Sequence, residues 1–161
     1  MDYDAEVRRL SAAFYRAYPS ADYPELLQKG ERPYTCLLID THDGYLICVP
    51  FRSEMKHRQG YAFSGTKRSA RSRSGLDYKK LVLIEDPAYL DRAPAVVDPD
   101  EYHAVIADLD RIAEEVVAYV DGYRHHVDGS HALHPREFAR RYGYATLPYF
   151  HDILGLTSAE G

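Results

Sequence analysis

Two β-rich runs joined by a short turn decide the fold of this chain: Tyr34-Thr-Cys-Leu-Leu-Ile-Asp40 and Tyr45-Leu-Ile-Cys-Val49, with Thr41-His-Asp-Gly44 between them. Asp-Gly between such runs is a strong signal for a β-hairpin. With Asp43 and Gly44 as the two turn residues, Cys48 faces Ile39, and Cys36 lies on the opposite face. We therefore expect a hairpin with two buried thiols and no disulfide.

Helical and extended segments flank this hairpin. Before it, one apolar stripe at helical spacing predicts a first helix over residues 7–18. After it, Pro50 is expected to end the second strand, and two further strands are predicted at Gly60–Phe63 and Tyr78–Ile84. The Ser/Arg/Gly-rich residues 64–75 cannot form a core, so we expect a mobile surface loop there.

Helices follow the strands. Asp98-Pro-Asp-Glu101 has the acidic cap, early proline and third-position glutamate of a helix start. An apolar stripe then continues for about 25 residues and predicts one long helix. Shorter helices are predicted at Pro135–Tyr142 and Leu147–Leu154. Sequential strands and segregated helices indicate an α+β fold, with an antiparallel sheet or small barrel flanked by helices, in a single domain over residues 1–161.

Length and composition fit this single globular domain. The chain has 161 residues, of which 45% are hydrophobic and 28% are charged, so wholesale disorder is not expected. No apolar run approaches the roughly 20 residues of a membrane-spanning helix. The stretch Met1–Arg9 lacks the apolar region of a signal peptide, and two cysteines are too few for a disulfide framework. We therefore expect a cytoplasmic protein.

Charge is distributed unevenly along the chain. The formal net charge is −5, yet residues 52–80, the basic segment, contain nine Lys/Arg and two acidic residues. Because local charge sets the potential that a phosphate feels, this segment is compatible with a polyanion partner. The alternative is a charged loop that is merely solvated.

Standard catalytic and metal motifs are missing. The sequence has no phosphate-binding GxxxxGK[ST], GxGxxG, HExxH, CxxC or GxSxG pattern. Four histidines lie close together at His125, His126, His131 and His134. Their spacing does not place a pair on one helix face beside a carboxylate, so we interpret them as exposed side chains and expect no metal and no cofactor.

The stretch Arg52–Arg58 is the densest set of reactive groups, and it lies where the second strand is expected to end. Ser53 supplies a hydroxyl, His57 can transfer protons near neutral pH, and Arg52, Lys56 and Arg58 can stabilise charge on a phosphate. This set suits RNA phosphodiester cleavage, in which the ribose 2′-OH attacks the adjacent phosphorus. The alternative is a basic strand end without catalytic function.

An ordered set of short stretches resembles a known family. They are Arg32-Pro-Tyr34, the hairpin, Pro50-Phe-Arg-Ser-Glu-Met-Lys-His57, Tyr61-Ala-Phe63, Gly75-Leu-Asp-Tyr-Lys79 with Val82-Leu-Ile84, and Leu147-Pro-Tyr-Phe-His151. The pattern looks like the ToxN/AbiQ/TenpN endoribonuclease toxins of type III toxin–antitoxin systems, and most like the TenpN branch. The resemblance covers nearly the whole chain.

The resemblance implies a strongly bent antiparallel sheet flanked by helices, distantly like the Kid/MazF toxins. It implies metal-independent cleavage of cellular or phage RNA that leaves a 2′,3′-cyclic phosphate and a 5′-OH. It also implies neutralisation by a repeated pseudoknot RNA antitoxin in a higher-order assembly of toxin and RNA, with a role in growth arrest and phage defence.

Site residues follow from the same resemblance. Arg52, Ser53, Lys56 and His57 match the family's catalytic strand end. Arg32 is expected to replace a basic residue near Tyr34, and both Arg32 and Tyr34 are expected to bind RNA. Further RNA-binding residues are expected in the basic segment at Arg58, Arg68, Arg71, Arg73, Lys79 and Lys80. The aromatic residues Tyr61 and Phe63 either stack on bases or belong to the core, and Tyr149, Phe150 and His151 are expected to pack.

Two other functions use the same residues differently. A non-catalytic RNA-binding module would grip RNA with the basic segment and leave it intact. A protein-interaction domain would use the segment to meet an acidic protein partner.

Overall fold

The computed structural model describes residues 6–27 and 35–156. Within these residues the chain forms six strands and four helices: β1 (Glu6–Arg9), α1 (Ala12–Ala17), β2 (Thr35–Asp40), β3 (Leu46–Arg52), β4 (Gly60–Ala62), β5 (Gly75–Asp77), β6 (Val82–Ile84), α2 (Pro99–Ala107), α3 (Leu109–Val127) and α4 (Pro135–Tyr142). Short 3₁₀ turns lie at Tyr78–Lys80, Pro87–Tyr89 and Leu147–Phe150.

The strands form one antiparallel sheet in the order β1-β2-β3-β5-β4, with β6 also paired to β3. The central strands β2 and β3 are buried along nearly their whole length, because structure covers both of their faces. Apolar side chains from the sheet and from helix α3 meet in one core, including Leu37, Ile47 and Ile112. The α+β class is confirmed, and the sheet does not close into a barrel: within the described residues, β1 and β4 do not pair.

The predicted first helix is wrong in its first half. Residues Glu6–Arg9 form β1, with Val7 paired to Leu37, and helix α1 begins only at Ala12. The Ser11 side chain accepts a hydrogen bond from the Phe14 N–H and so caps α1. The apolar residues before that cap satisfy helical and strand spacing alike, and pairing with the buried β2 decides in favour of the strand.

The predicted hairpin exists, but its turn differs from the two-residue turn expected. Asp40 Oδ1 accepts a 2.8 Å hydrogen bond from the His42 N–H, and the Thr41 hydroxyl donates to the Tyr45 carbonyl at 2.7 Å. These bonds close a loop of residues 41–45, in which Gly44 has φ +94°. The side-chain bond from Asp40 starts the turn earlier, and the register shifts by one residue.

This shift corrects the predicted placement of the cysteines. Leu38 pairs with Cys48, and Cys36 pairs with Pro50, so both cysteine side chains point to the same face of the sheet. The prediction of two buried thiols is confirmed. Burial raises the pKa of the Cys36 thiol to about 12.

Pro50 does not end the second strand. Strand β3 continues through it to Arg52 and exchanges one partner for another at this point: Pro50 faces Cys36 of β2, whereas Phe51 faces Leu76 of β5. Proline lacks an N–H and is therefore tolerated where a strand changes partners. This continuation carries Arg52 to the far end of the sheet.

The predicted strand over Tyr78–Ile84 is divided into two elements. Asp77 Oδ1 accepts a 3.0 Å hydrogen bond from the Lys79 N–H, which caps a 3₁₀ turn over Tyr78–Lys80. Strand β6 begins only afterwards, at Val82.

Residues 64–74 form a hydrogen-bonded turn in place of the expected mobile loop. Within this turn, the Ala70 N–H donates a hydrogen bond to the Thr66 carbonyl at 3.2 Å.

The helices differ from the prediction mainly in their ends. Helix α4 has the predicted bounds, but the single long helix is divided into α2 and α3 at Asp108, whose side chain accepts a 2.5 Å hydrogen bond from the Tyr61 hydroxyl. Asp98 precedes α2 without a side-chain cap bond: the Glu101 N–H donates to Asp100 Oδ1 at 2.8 Å, and the Glu101 side chain binds Arg68. The last predicted helix is a 3₁₀ turn over Leu147–Phe150 followed by turns.

Gly75 tests how tightly β5 is held between its neighbours. A Cβ at this position would lie 2.0 Å from the Tyr61 carbonyl oxygen, which belongs to the backbone of β4. We expect Gly75→Ala to lower the free energy of unfolding by about 1–3 kcal/mol, because a backbone cannot move aside at low cost. Urea unfolding followed by circular dichroism measures this. Ala62→Ser, at the exposed cross-strand partner of Gly75, is the control, and equal stability of both variants would contradict the close approach.

Candidate functional site

A buried carboxylate lies at the centre of the candidate site. Asp77 ends β5 with a fully buried side chain. Its Oδ2 accepts a 2.7 Å hydrogen bond from Arg52 Nη1, and its Oδ1 lies 2.9 Å from His57 Nε2. Arg52 pairs with Gly75, so its side chain lies diagonally across from Asp77 on the same face. The strand register therefore brings these groups together.

The pKa of Asp77 reflects these contacts. Burial alone would raise the pKa of this carboxyl group, because it penalises the charged form. The contacts with His57 and Arg52 outweigh burial and hold the pKa below its ordinary value. Asp77 is therefore a charged, buried side chain that stabilises the fold through two partners.

His57 faces the protein with both of its ring nitrogens. Nδ1 accepts a 3.0 Å hydrogen bond from the Gln59 N–H, so in the neutral ring the proton resides on Nε2. Nε2 is buried against Asp77 at 2.9 Å, although the direction of its N–H is not aligned for a hydrogen bond. In this conformation, the His57 ring therefore packs against the Asp77 carboxylate within the protein.

Ser53 and Lys56 point outward from the same segment, and both are exposed. Between them, Met55 is buried and its N–H donates a 2.8 Å hydrogen bond to the Arg73 carbonyl. The Ser72 hydroxyl donates to the Ser53 carbonyl. The turn that precedes β5 thus fixes the backbone of the segment and leaves a hydroxyl and an ammonium group at the surface.

Several predicted RNA-binding cations have partners within the protein. Arg68 donates to both carboxylate oxygens of the buried Glu101, at 2.7 and 2.6 Å. Lys80, whose side chain is 13% exposed, forms a 2.8 Å ion pair with Glu25. Lys79 donates from Nζ to the Gly143 carbonyl at 3.0 Å. These side chains anchor the basic segment to α2, to residues 19–27 and to the end of α4.

The remaining predicted residues fall into three groups. Arg58 and Arg71 are exposed and are suited to bind phosphates. Arg73 is half-buried, and its Nε has no hydrogen-bond partner within the described part of the chain. Arg32 and Tyr34 lie outside the described residues.

A cleft borders the segment that carries Ser53 and Lys56. Its volume is about 370 Å³, and the residues that line it include Arg58, Gln59, Glu115, Arg141 and Tyr142. The Tyr78 hydroxyl donates a 2.8 Å hydrogen bond to Glu115 at its base. A cleft of this size accommodates a small ligand or one nucleotide unit.

Other aromatic residues and histidines have structural contacts. Phe63 belongs to the core, and Tyr61 is half-buried, with burial and its bond to Asp108 raising its pKa to about 12. The Tyr123 hydroxyl lies 2.6 Å from His151 Nε2. Across residues 6–27 and 35–156, no group of three or more His, Cys, Asp or Glu side chains is placed to hold a metal ion.

Sequence reasoning missed the acidic partners. In the sequence, Asp77 is one of two acids in the basic segment, and Glu101 belongs to the predicted helix start at Asp98. One available signal was the isolation of Asp77 among cations beside a buried strand, because a buried carboxylate requires paired charges. The sequence held no comparable signal for Glu101.

Comparison with protein-family models, curated proteins and solved structures gives no significant match to this chain. The resemblance to ToxN-type toxins therefore stays a prediction that rests on the quoted residues. No helix among the described residues is long and apolar enough to cross a membrane.

Asp77→Asn tests the buried charge. At pH 7 we expect this variant to lose about 3 kcal/mol of unfolding free energy, because Arg52 and His57 lose their charged partner. The folded-state pKa of Asp77 is lowered, so its stabilisation is complete above the unfolded value near 3.9 and is lost as the pH falls through the folded value. The difference between wild type and variant should therefore shrink below about pH 4.

Chemical denaturation between pH 3 and pH 7 measures this difference. Asp22→Asn, at an exposed carboxylate, is the matched control and should cost little at any pH. A difference between wild type and Asp77→Asn that stays constant down to pH 3 would contradict a stabilising, ionised Asp77.

Proposed function

We propose that this protein is a metal-independent endoribonuclease, the toxin of a type III toxin–antitoxin system, and that the segment Arg52–Arg58 contacts the scissile phosphate. One observation carries the proposal: exposed Ser53 and Lys56 flank a buried anchor at Met55, beside an arginine whose position Asp77 fixes. Hydroxyl and cationic groups held on a rigid strand end are suited to phosphoryl chemistry.

In the proposed reaction, the RNA itself supplies both the nucleophile and the leaving group. The 2′-oxygen loses its proton and forms a bond to the adjacent phosphorus, and the bond from phosphorus to the 5′-oxygen breaks. The products are a 2′,3′-cyclic phosphate and a 5′-oxygen that gains a proton. The enzyme must therefore provide proton transfer and stabilise negative charge on the non-bridging oxygens.

Arg52 and Lys56 supply the positive charge. Arg52 uses Nη1 to bind Asp77, its side chain is 30% exposed, and the guanidinium has further N–H groups that can face a phosphate. Lys56 presents an exposed ammonium group from the same segment. The Ser53 hydroxyl, which points to solvent beside them, orients the 2′-OH or takes part in proton transfer.

His57 receives a different role from the one expected. Because Nδ1 accepts the Gln59 N–H and Nε2 faces Asp77, the ring is turned away from an exposed substrate. The proposal therefore treats His57 as a positioning residue that holds Asp77, and through it Arg52. This arrangement leaves the direct contacts with RNA to Arg52, Ser53 and Lys56.

RNA as the ligand agrees with the distribution of exposed charge. Lys56, Arg58 and Arg71 are exposed on the basic segment, and Arg58 leads from that segment into the adjoining cleft. Backbone phosphates on both sides of the scissile bond would meet these cations. The repeated pseudoknot RNA antitoxin is part of the proposal through the family resemblance, and it would occupy the same surface.

Induced expression in a bacterial host tests the catalytic assignment. We expect the wild type to stop growth and to fragment cellular RNA. Ser53→Ala and Lys56→Ala should lower RNA cleavage by at least about 100-fold and restore growth, because each removes a group that acts on the reacting phosphate. Growth curves and RNA sequencing of 5′ ends measure both effects.

Two exposed residues provide matched controls. Ser20→Ala and Lys67→Ala remove the same side-chain types away from the strand end, and both should remain toxic. Wild-type protein that retains RNA without shortening it would favour the binding module, and purification with an acidic protein but no RNA would favour the interaction domain. Unchanged toxicity of Ser53→Ala and Lys56→Ala would contradict the proposed site.

A further inference from the structure

A tyrosine behind the candidate site has an unusual position. Tyr144 is 82% exposed, although it lies between the buried residues Tyr142 and Ala145. Its backbone has φ +62°, in the left-handed region that favours glycine and asparagine. A β-carbon and an aromatic ring at such a position carry a conformational cost, and nothing in the core repays it.

Two lysines hold the backbone of this turn. Lys79 Nζ donates to the Gly143 carbonyl at 3.0 Å, and Lys80 Nζ donates to the Tyr144 carbonyl at 2.7 Å. The Ala145 N–H also closes the turn onto the Tyr142 carbonyl at 3.1 Å. The surrounding structure therefore fixes the strained residue and presents its ring to solvent. Strain that the structure maintains in this way is typical of functional positions.

Cationic side chains lie near the turn that carries Tyr144. Arg140 and Arg141 both bind the single carboxylate of Glu137, and Lys80 shares the turn with Lys79. Burial lowers the pKa of Lys79, the charge of Asp77 acts in the opposite direction, and the nearby charges of Lys80 and Arg140 lower the pKa further. Arg140 and Arg141 share the Glu137 carboxylate, Lys80 pairs with Glu25, and Lys79 interacts with Asp77, so four cations meet three carboxylates.

The turn is connected to the candidate site. The Lys79 N–H donates a hydrogen bond to Asp77 Oδ1, the carboxylate at the centre of the candidate site. Lys79 therefore contacts both this carboxylate and the turn that carries Tyr144. The cleft that adjoins the site is lined by Arg58 and also by Arg141 and Tyr142. Tyr142, which lines this cleft, lies two residues before Tyr144 in the chain.

We propose that Tyr144 is a stacking platform for one unpaired base of the bound RNA, outside the scissile linkage. Aromatic rings among cations are the usual means of holding single-stranded nucleic acid, since the ring stacks on a base and the cations bind the flanking phosphates. The inference rests on the proposed function in taking RNA as the ligand. It adds a second contact that would align the RNA across the cleft.

The backbone strain makes a clean variant available. Tyr144→Gly removes the ring and also relieves the left-handed conformation, so the melting temperature should stay equal or rise. Tyr144→Phe keeps the ring and loses only the hydroxyl. We expect Tyr144→Gly to bind RNA roughly tenfold more weakly and Tyr144→Phe to bind within about twofold of the wild type.

The binding assay uses a labelled single-stranded 2′-O-methyl RNA of about 12 nucleotides, a length within the range covered by one such groove. This RNA has no 2′-OH to react, and fluorescence anisotropy measures its affinity. A series with one abasic position at a time locates the stacked base. For the wild type, one abasic position should weaken binding roughly tenfold, and for Tyr144→Gly the same position should have no effect.

His42→Gly is the matched control. His42 is the other described non-glycine residue with positive φ, at +60°, and it also carries an exposed ring. It lies in the β2–β3 turn beside Asp40. Its removal should relieve similar strain and leave RNA affinity unchanged.

The outcomes separate this inference from the proposed function. Equal RNA affinity of Tyr144→Gly and wild type, or abasic effects that are identical in both, would overturn the stacking role. Coupling between Tyr144 and one base supports it. Whether the wild type cleaves unmodified RNA is measured in parallel and decides the proposed function by itself.

Discussion

The structure depends on one buried carboxylate. Asp77 connects three parts of the chain: Arg52 at the end of β3, His57 in the following segment, and the backbone of the 3₁₀ turn at Lys79. A buried charge is costly unless such partners compensate it, so the fold requires all of these groups to stay in contact with Asp77. The exposed residues Ser53 and Lys56 lie between Arg52 and His57, on a segment whose backbone also bonds to the turn before β5.

The acids of the chain explain how a basic segment folds within it. Glu101 binds Arg68 and Glu25 binds Lys80, so part of the positive charge is used to attach the segment to the rest of the protein. Lys56, Arg58 and Arg71 remain exposed on the segment. Residues 64–74, predicted from composition as part of a mobile loop, instead form a hydrogen-bonded turn that contributes Arg68 to these contacts.

Local signals predicted the parts of the fold that local interactions decide. The hairpin and the bounds of α4 follow from turn residues, proline and apolar spacing. Strand β1, the one-residue register shift and the break at Asp108 depend on partners distant in sequence, and local patterns do not contain them. The site shows the same division: the cluster Arg52–Arg58 was visible in the sequence, whereas its contact with Asp77, 25 residues from Arg52, was not.

The chemistry of the cleaved ends tests the central claim most directly. Purified wild-type protein, incubated with a defined RNA in excess chelator, should leave a 2′,3′-cyclic phosphate and a 5′-OH, as measured by mass spectrometry of the fragments. A single 2′-deoxy nucleotide at the cleaved position should abolish that cut, because it removes the nucleophile. Fragments with 5′-phosphates, or cleavage that persists at the 2′-deoxy position, would contradict the account.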